Sequence, residues 1–177
     1  LCTTGFAVVS ATGQPGFATA GHCGAPGDPV QTPHGEALGT IAASAFPGTD
    51  YGWVATNSQY GTVAAVTMPT GAVAAVRGAV PAAVGAPVCV LGQASGWHCG
   101  TITATDQTVQ YDQGVVSGLT ATSVCSDAGD SGGVLISGDQ AQGVVSGGIG
   151  DCSDNGTTYF QPLAPILTAY GLTLRTG

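Results

Sequence analysis

The sequence contains no lysine, and its only strong cations are Arg77 and Arg175. Set against 10 acidic residues, they leave a formal net charge of −8. Nucleic-acid binding uses Lys and Arg to displace phosphate counterions, so that class is excluded. Lysine Schiff-base chemistry and a P-loop both need a Lys and are excluded with it. Charge of either sign is scarce at 7 %, unlike a highly charged disordered chain. No C-x-x-C pair occurs among the six cysteines, which removes the usual zinc spacing. Nor is there an unbroken apolar run of membrane-spanning length. The stretch from Gly71 to Leu91 carries Arg77 and is cut by Gly78, Pro81, Gly85 and Pro87. Two short strands joined by a turn are expected there, not a span.

What remains is rich in small and β-forming residues. The 177 residues are 44 % hydrophobic and include 30 Gly and 10 Pro. That length suits one large domain or two small lobes sharing an interface. Turn residues recur about every 8–12 positions between Val-, Ala- and Thr-rich runs, which predicts an all-β barrel or sandwich fold. Expected strands cover 5–9, 16–19, 38–42, 52–55, 62–66, 72–76, 88–91, 100–104, 108–111, 115–121, 133–136, 142–147 and 157–161. One short helix is expected near the C-terminus. Pro162 suits its first turn, Leu163, Ile166, Leu167 and Tyr170 recur at helical spacing, and Gly171 is a natural stop. The expected boundary near Pro69 to Gly71 gives lobes 1–70 and 71–177. An even six cysteines suggest disulfides formed in an oxidising compartment. Leu1-Cys2 opens directly on strand-like sequence, as expected of an exported chain whose signal has been removed.

Three short strings carry the chemistry: Thr19-Ala20-Gly21-His22-Cys23, Gly48-Thr49-Asp50-Tyr51-Gly52-Trp53-Val54 and Gly129-Asp130-Ser131-Gly132-Gly133. A serine hydroxyl is a weak nucleophile and needs a base within hydrogen-bond reach. Glycines around Ser131 let backbone amides converge on one developing oxyanion, and Gly129 and Ser131 could supply that pair. His22 is the candidate base, beside a cysteine whose bridge would fix its backbone. His34 and His98 read as structural histidines. A base must be held in one tautomer, and Asp50 is the best candidate orienter because it follows a turn and starts an apolar strand.

Taken together, in the order His, Asp, Ser, these strings resemble the chymotrypsin-type serine proteases. The sequence looks like a secreted bacterial member of the α-lytic protease and streptogrisin branch. The resemblance runs nearly the whole length and includes Val76-Arg77-Gly78, Ala83-Val84-Gly85-Ala86, Gly96 to Ile102 and Ala141 to Gly148. It implies two six-stranded antiparallel β-barrels with a short C-terminal helix. It implies that Ser131 attacks the scissile carbonyl, His22 shuttles the proton and Asp50 orients His22. It further implies an oxyanion hole from the Gly129 and Ser131 amides. Substrate backbone would pair along Ser146, Gly147 and Gly148. It selects disulfides Cys2–Cys23, Cys89–Cys99 and Cys125–Cys152. No cofactor or metal is called for. The partners implied are peptide or protein substrates and a pro-segment during folding, with a monomeric, extracellular enzyme as the product.

The specificity pocket, by the same resemblance, is walled near Ser126 to Ala128 and Val145 to Gly148. Cys125 stands where a trypsin-like pocket has its acid, and Val145 where a glutamate-specific pocket has a His. Medium or large apolar side chains are the expected substrates, while the direction of the Asp127 side chain stays open. Two departures stand out. Relatives begin with roughly a dozen more residues in an N-terminal strand. They also often carry an Arg, where this chain has Val90, to pair with the carboxylate preceding the nucleophile, here Asp130. With two Arg, few salt bridges can form, so tolerance of acid is expected. A non-catalytic β domain that kept the scaffold for binding is the competing function class.

Overall fold

The computed structural model describes residues 1–58 and 62–177. The chain begins with β1 (Ala7–Val9) and β2 (Pro15–Ala20), followed by β3 (Pro29–Gln31), β4 (Ala37–Ala45) and β5 (Tyr51–Thr56). A short hairpin follows, β6 (Ala65–Thr67) with β7 (Val73–Ala75). The second half contains β8 (Pro87–Gly92), β9 (Gly96–Tyr111), β10 (Gly114–Thr122), β11 (Val134–Ser137), β12 (Gln140–Ile149) and β13 (Thr157–Pro162). Helix α1 (Leu163–Tyr170) and a final strand β14 (Thr173–Leu174) complete it.

Strands β8 to β13 close into a six-stranded barrel in the order β10-β13-β12-β11-β8-β9. The first lobe is a six-stranded sheet, β14-β1-β2-β5-β4-β3, with β14 and β3 at its edges. Its sixth strand comes from the far end of the chain, where Val8 pairs with Leu174. The expected division at residue 70 also falls inside the β6–β7 hairpin, in which Ala65 opposes Ala75. The two lobes are therefore stitched at both places instead of parting cleanly. Neither β3 nor β14 was anticipated, because each is too short to show a period. The 71–91 region does hold two strands, but a long irregular stretch separates them.

Strands expected at 100–104 and 108–111 are one continuous β9. Asp106, in the gap between the two expected strands, sits at φ 52° within a series of register shifts against β10. Such a bulge lets a strand bend without ending. Helix α1 ends at Gly171, whose φ of 60° is the left-handed cap the sequence suggested.

Alternation along the strands sorts side chains into three apolar clusters. Phe17, Ile41 and Val54 fill the first lobe, and Val88, Val90, Ile102, Leu135 and Phe160 fill the second. The largest cluster joins Phe6, Val8 and Trp53 to Val134, Val144, Leu163 and Ile166, so α1 and both lobes share one core. Lobe-to-lobe geometry is thereby set by close packing. Disulfides join Cys2 to Cys23, Cys89 to Cys99 and Cys125 to Cys152. Among the described residues no helix is long and apolar enough to cross a membrane.

Ion pairing is sparse. The described residues contain one Arg–carboxylate pair, Arg77 to Asp139 at 3.7 Å, with both side chains at least half exposed. Lowering the pH breaks few Arg–carboxylate pairs in such a fold. Near-ultraviolet circular dichroism is therefore expected to persist at about pH 3; a cooperative loss of signal there would contradict this.

Candidate active site

His22 lies in a one-turn 3-10 helix, Gly21–Cys23, directly after β2. Cys23 is tied to Cys2. Asp50 immediately precedes β5 and is fully buried. Its loop is held by the other lobe: the Gly48 amide donates to Val115 O at 2.9 Å, and the Ser117 amide to Gly48 O at 3.0 Å. From β13, Gln161 Oε1 accepts the Asp50 amide at 3.2 Å. Ser131 stands in the turn before β11, where the Ser131 carbonyl accepts from the Thr3 amide at 2.7 Å.

Both lobes thus deliver their side chains to one line. His22 Nε2 is 2.9 Å from Ser131 Oγ. His22 Nδ1 is 2.9 Å from Asp50 Oδ2 and 3.2 Å from Oδ1. A carboxylate only accepts, so the proton sits on Nδ1, and Nε2 keeps its lone pair toward the serine hydroxyl. Asp50 also accepts from the His22 amide at 2.9 Å and from Ser146 Oγ at 2.6 Å. With three donors on one buried carboxylate, its rotation is fixed.

Tyr111 extends the chain of contacts. Its hydroxyl is 3.0 Å from Ser146 Oγ. Since Ser146 spends its one proton on Asp50, Tyr111 is the donor. Burial pushes the Tyr111 phenol above its ordinary range; the Ser146 contact opposes this, and the Asp50 charge adds to it. The phenol therefore stays protonated through neutral pH and keeps donating. Rings of His22 and Phe46 lie 5.4 Å apart, and those of Phe46 and Tyr111 6.3 Å apart. Tyr111, Phe46 and Gln161 were not foreseen; no local word marks them, because β9, β13 and the Asp50 loop meet only in the fold.

Gly129 adopts a φ of 102°, a conformation that suits glycine and turns the loop ahead of Ser131. Among the described residues neither the Gly129 nor the Ser131 amide donates to a backbone acceptor.

The anticipated pocket residues fall into distinct roles. Ser126 Oγ accepts from Thr158 Oγ1 at 2.8 Å. Val145 is only 2 % exposed and packs in the second barrel's core, so it backs a wall more than it faces a ligand. Ser146 is committed to Asp50. On β12, Gly147 and Gly148 pair with β13 on one side, while the β11 pairing stops at Val144. Residues 146–148 thus keep one edge without a strand partner among the described residues. The direction of Asp127 is now defined: Oδ1 accepts the Cys152 amide at 3.0 Å and braces the Cys125–Cys152 loop. His98 donates through Nε2 to Ser95 O at 2.8 Å. Two clusters, Cys2–His22–Cys23 and His98–Cys125–Cys152, bring potential metal-binding atoms close together. The cysteines of each are disulfide-bonded and offer no thiolate.

The trypsin family profile matches residues 6–169. Streptogrisin-C of Streptomyces griseus is 51 % identical over 176 residues, covering 99 % of this chain and 38 % of the relative. This chain therefore spans well under half the length of that curated relative. Protease A of Thermobifida fusca superposes with a TM-score of 0.94 at 48 % identity, covering 99 % of this chain and 92 % of that one. A Cellulomonas bogoriensis chymotrypsin does so at 0.92 and 49 %, covering 99 % and 91 %. With the two-lobed fold and the His22–Asp50–Ser131 alignment described, this chain belongs to the trypsin family, in the streptogrisin-like bacterial branch of the chymotrypsin-type serine proteases.

Proposed function

We propose that the protein is a secreted serine endopeptidase in which Ser131, His22 and Asp50 form the catalytic triad. The observation that carries this is the continuous line of hydrogen bonds from Ser131 Oγ through His22 to Asp50. Ser131 Oγ bonds to the scissile carbonyl carbon as its proton passes to His22 Nε2. The new oxyanion is received by the Gly129 and Ser131 amides. His22 then gives that proton to the departing amine as the C–N bond breaks, leaving an acyl-enzyme. Water repeats the sequence: its proton goes to His22, its oxygen to the acyl carbon, and Ser131 leaves with the proton returned. Asp50 stabilises the imidazolium formed in each half-reaction. Substrate backbone adds as a strand along Ser146, Gly147 and Gly148, whose open edge suits it.

Cleavage after medium or large apolar residues fits the pocket chemistry. Asp127 is engaged with the Cys152 amide, and Ser126 and Val145 bring neither a cation nor an acid. Three disulfides fit an extracellular setting. A pro-segment during folding and a monomeric product complete the proposal. Digestion of a proteome-derived peptide library, read by mass spectrometry, tests it. Cleavage dominated by Leu, Met, Phe or Tyr on the acyl side is expected. Dominance of Lys and Arg, or of Glu and Asp, would contradict the pocket assignment, and no cleavage would contradict the activity.

A further inference from the structure

Asp130 lies between the two amides proposed to bind the oxyanion, and it is fully buried. The ion pairs of the described residues, His22–Asp50 and Arg77–Asp139, do not include it. A buried carboxylate without compensation is costly, and here hydrogen bonds supply it. The Ala94 and Ser95 amides donate to Oδ1 at 2.9 and 3.1 Å. The Asp127 amide donates to Oδ2 at 2.8 Å, and the Ser95 hydroxyl donates to the same oxygen. Three of these four donors come from the loop joining β8 to β9. That loop can close on the carboxylate because residue 92 is glycine: a Cβ there would stand 2.1 Å from Asp130 Oδ1.

The same loop reaches the flanking peptides by a second route. The Gln93 amide donates to Thr3 Oγ1 at 3.0 Å, and Thr3 Oγ1 donates to Gly129 O at 2.9 Å. Ser95 is itself pinned from behind by His98 Nε2 on its carbonyl at 2.8 Å. The segment Gly129-Asp130-Ser131 is therefore gripped at its side chain and at its backbone by residues 93–95.

We propose that Ser95 is a positioning residue for the oxyanion-binding amides. Its hydroxyl, with the Ala94 and Ser95 amides, does for Asp130 what a paired cation would do, and so fixes where the Gly129 and Ser131 N–H groups point. This rests on the triad assignment above. Hydrogen bonds to an ionised acceptor are among the stronger neutral-donor contacts. Losing one from a buried carboxylate lets residue 130 rotate, and small misplacements of transition-state donors cost rate more than ground-state binding.

Ser95→Ala is expected to lower kcat by about tenfold or more, with KM changed less than about twofold. A peptide aldehyde inhibitor, whose hemiacetal oxygen enters the same hole, is expected to bind more weakly in proportion. Ser95→Thr, which keeps the hydroxyl, is expected to restore both. Gly92→Ala approaches the same carboxylate with Ser95 intact and is expected to give the same kcat-selective loss, so the test survives should Ser95→Ala fail to fold. Unchanged kcat and aldehyde affinity in Ser95→Ala, a loss that Ser95→Thr does not restore, or full kcat in Gly92→Ala would overturn the inference. An active wild type matched by Ser95→Ala overturns this inference alone. A folded wild type inert toward peptides overturns the triad assignment and this inference with it.

Discussion

Ser131→Ala is expected to lower kcat for peptide hydrolysis by about 10⁶-fold, with KM altered far less. The size follows from what is lost: the covalent route disappears, and His22 Nε2 loses the hydroxyl 2.9 Å away that it deprotonates. What would survive is the proposed binding along 146–148 and the proposed amide pair, together worth about 10³-fold over water in triad enzymes. Folding should be nearly untouched, because Ser131 Oγ makes no hydrogen bond besides that to His22 among the described residues. Steady-state kinetics on a fluorogenic peptide, with matched thermal midpoints, checks both halves. A loss below about a hundredfold would mean that another group is the nucleophile.

Asp50→Asn is expected to cost about 10⁴-fold in kcat, the loss that follows neutralising the carboxylate of this kind of triad. The reason lies in the tautomer. Asp50 accepts from His22 Nδ1, from the His22 amide and from Ser146 Oγ. An amide nitrogen in place of Oδ2 becomes a donor toward Nδ1. The imidazole then carries its proton on Nε2, facing Ser131, and cannot accept another. The same nitrogen confronts the Ser146 hydroxyl, which must turn away and disturb the Tyr111 contact at 3.0 Å. The measurement is kcat against pH, with the rate of Ser131 phosphonylation alongside. A loss of less than tenfold would show that Asp50 neither orients nor charges the histidine.

The three aligned residues were legible in the sequence because each lies in a short local word, and the word order is itself informative. His22, Asp50 and Ser131 could be named before any contact was known. The disulfide pattern and the helix at Leu163–Tyr170 were equally accessible, the first through resemblance and the second through spacing. What escaped depends on chain segments meeting from far apart. Val90 showed that the usual cation beside Asp130 is missing, but not what replaces it. The replacement is a loop some 35 residues upstream, made mainly of backbone donors that no residue type announces. Tyr111 was likewise invisible: it stands at the end of a long strand that the sequence broke in two at Asp106. The sixth strand of the first lobe escaped for a related reason, since it is a two-residue segment at the opposite end of the chain. Val145, placed near the pocket by resemblance, is only 2 % exposed and packs with the second barrel's core.

Nucleophile, base and oxyanion donors are expected to stand assembled around Ser131. Intact-mass analysis after exposure to a fluorophosphonate probe tests this most directly, with Ser131→Ala as the control. Phosphonylation needs an activated hydroxyl and stabilisation of the charged phosphoryl oxygen together. One adduct per chain is expected, mapped to Ser131 and absent from the variant. A folded, disulfide-complete protein that takes no adduct, or takes it equally in the variant, would contradict the account and favour a binding domain built on the same scaffold.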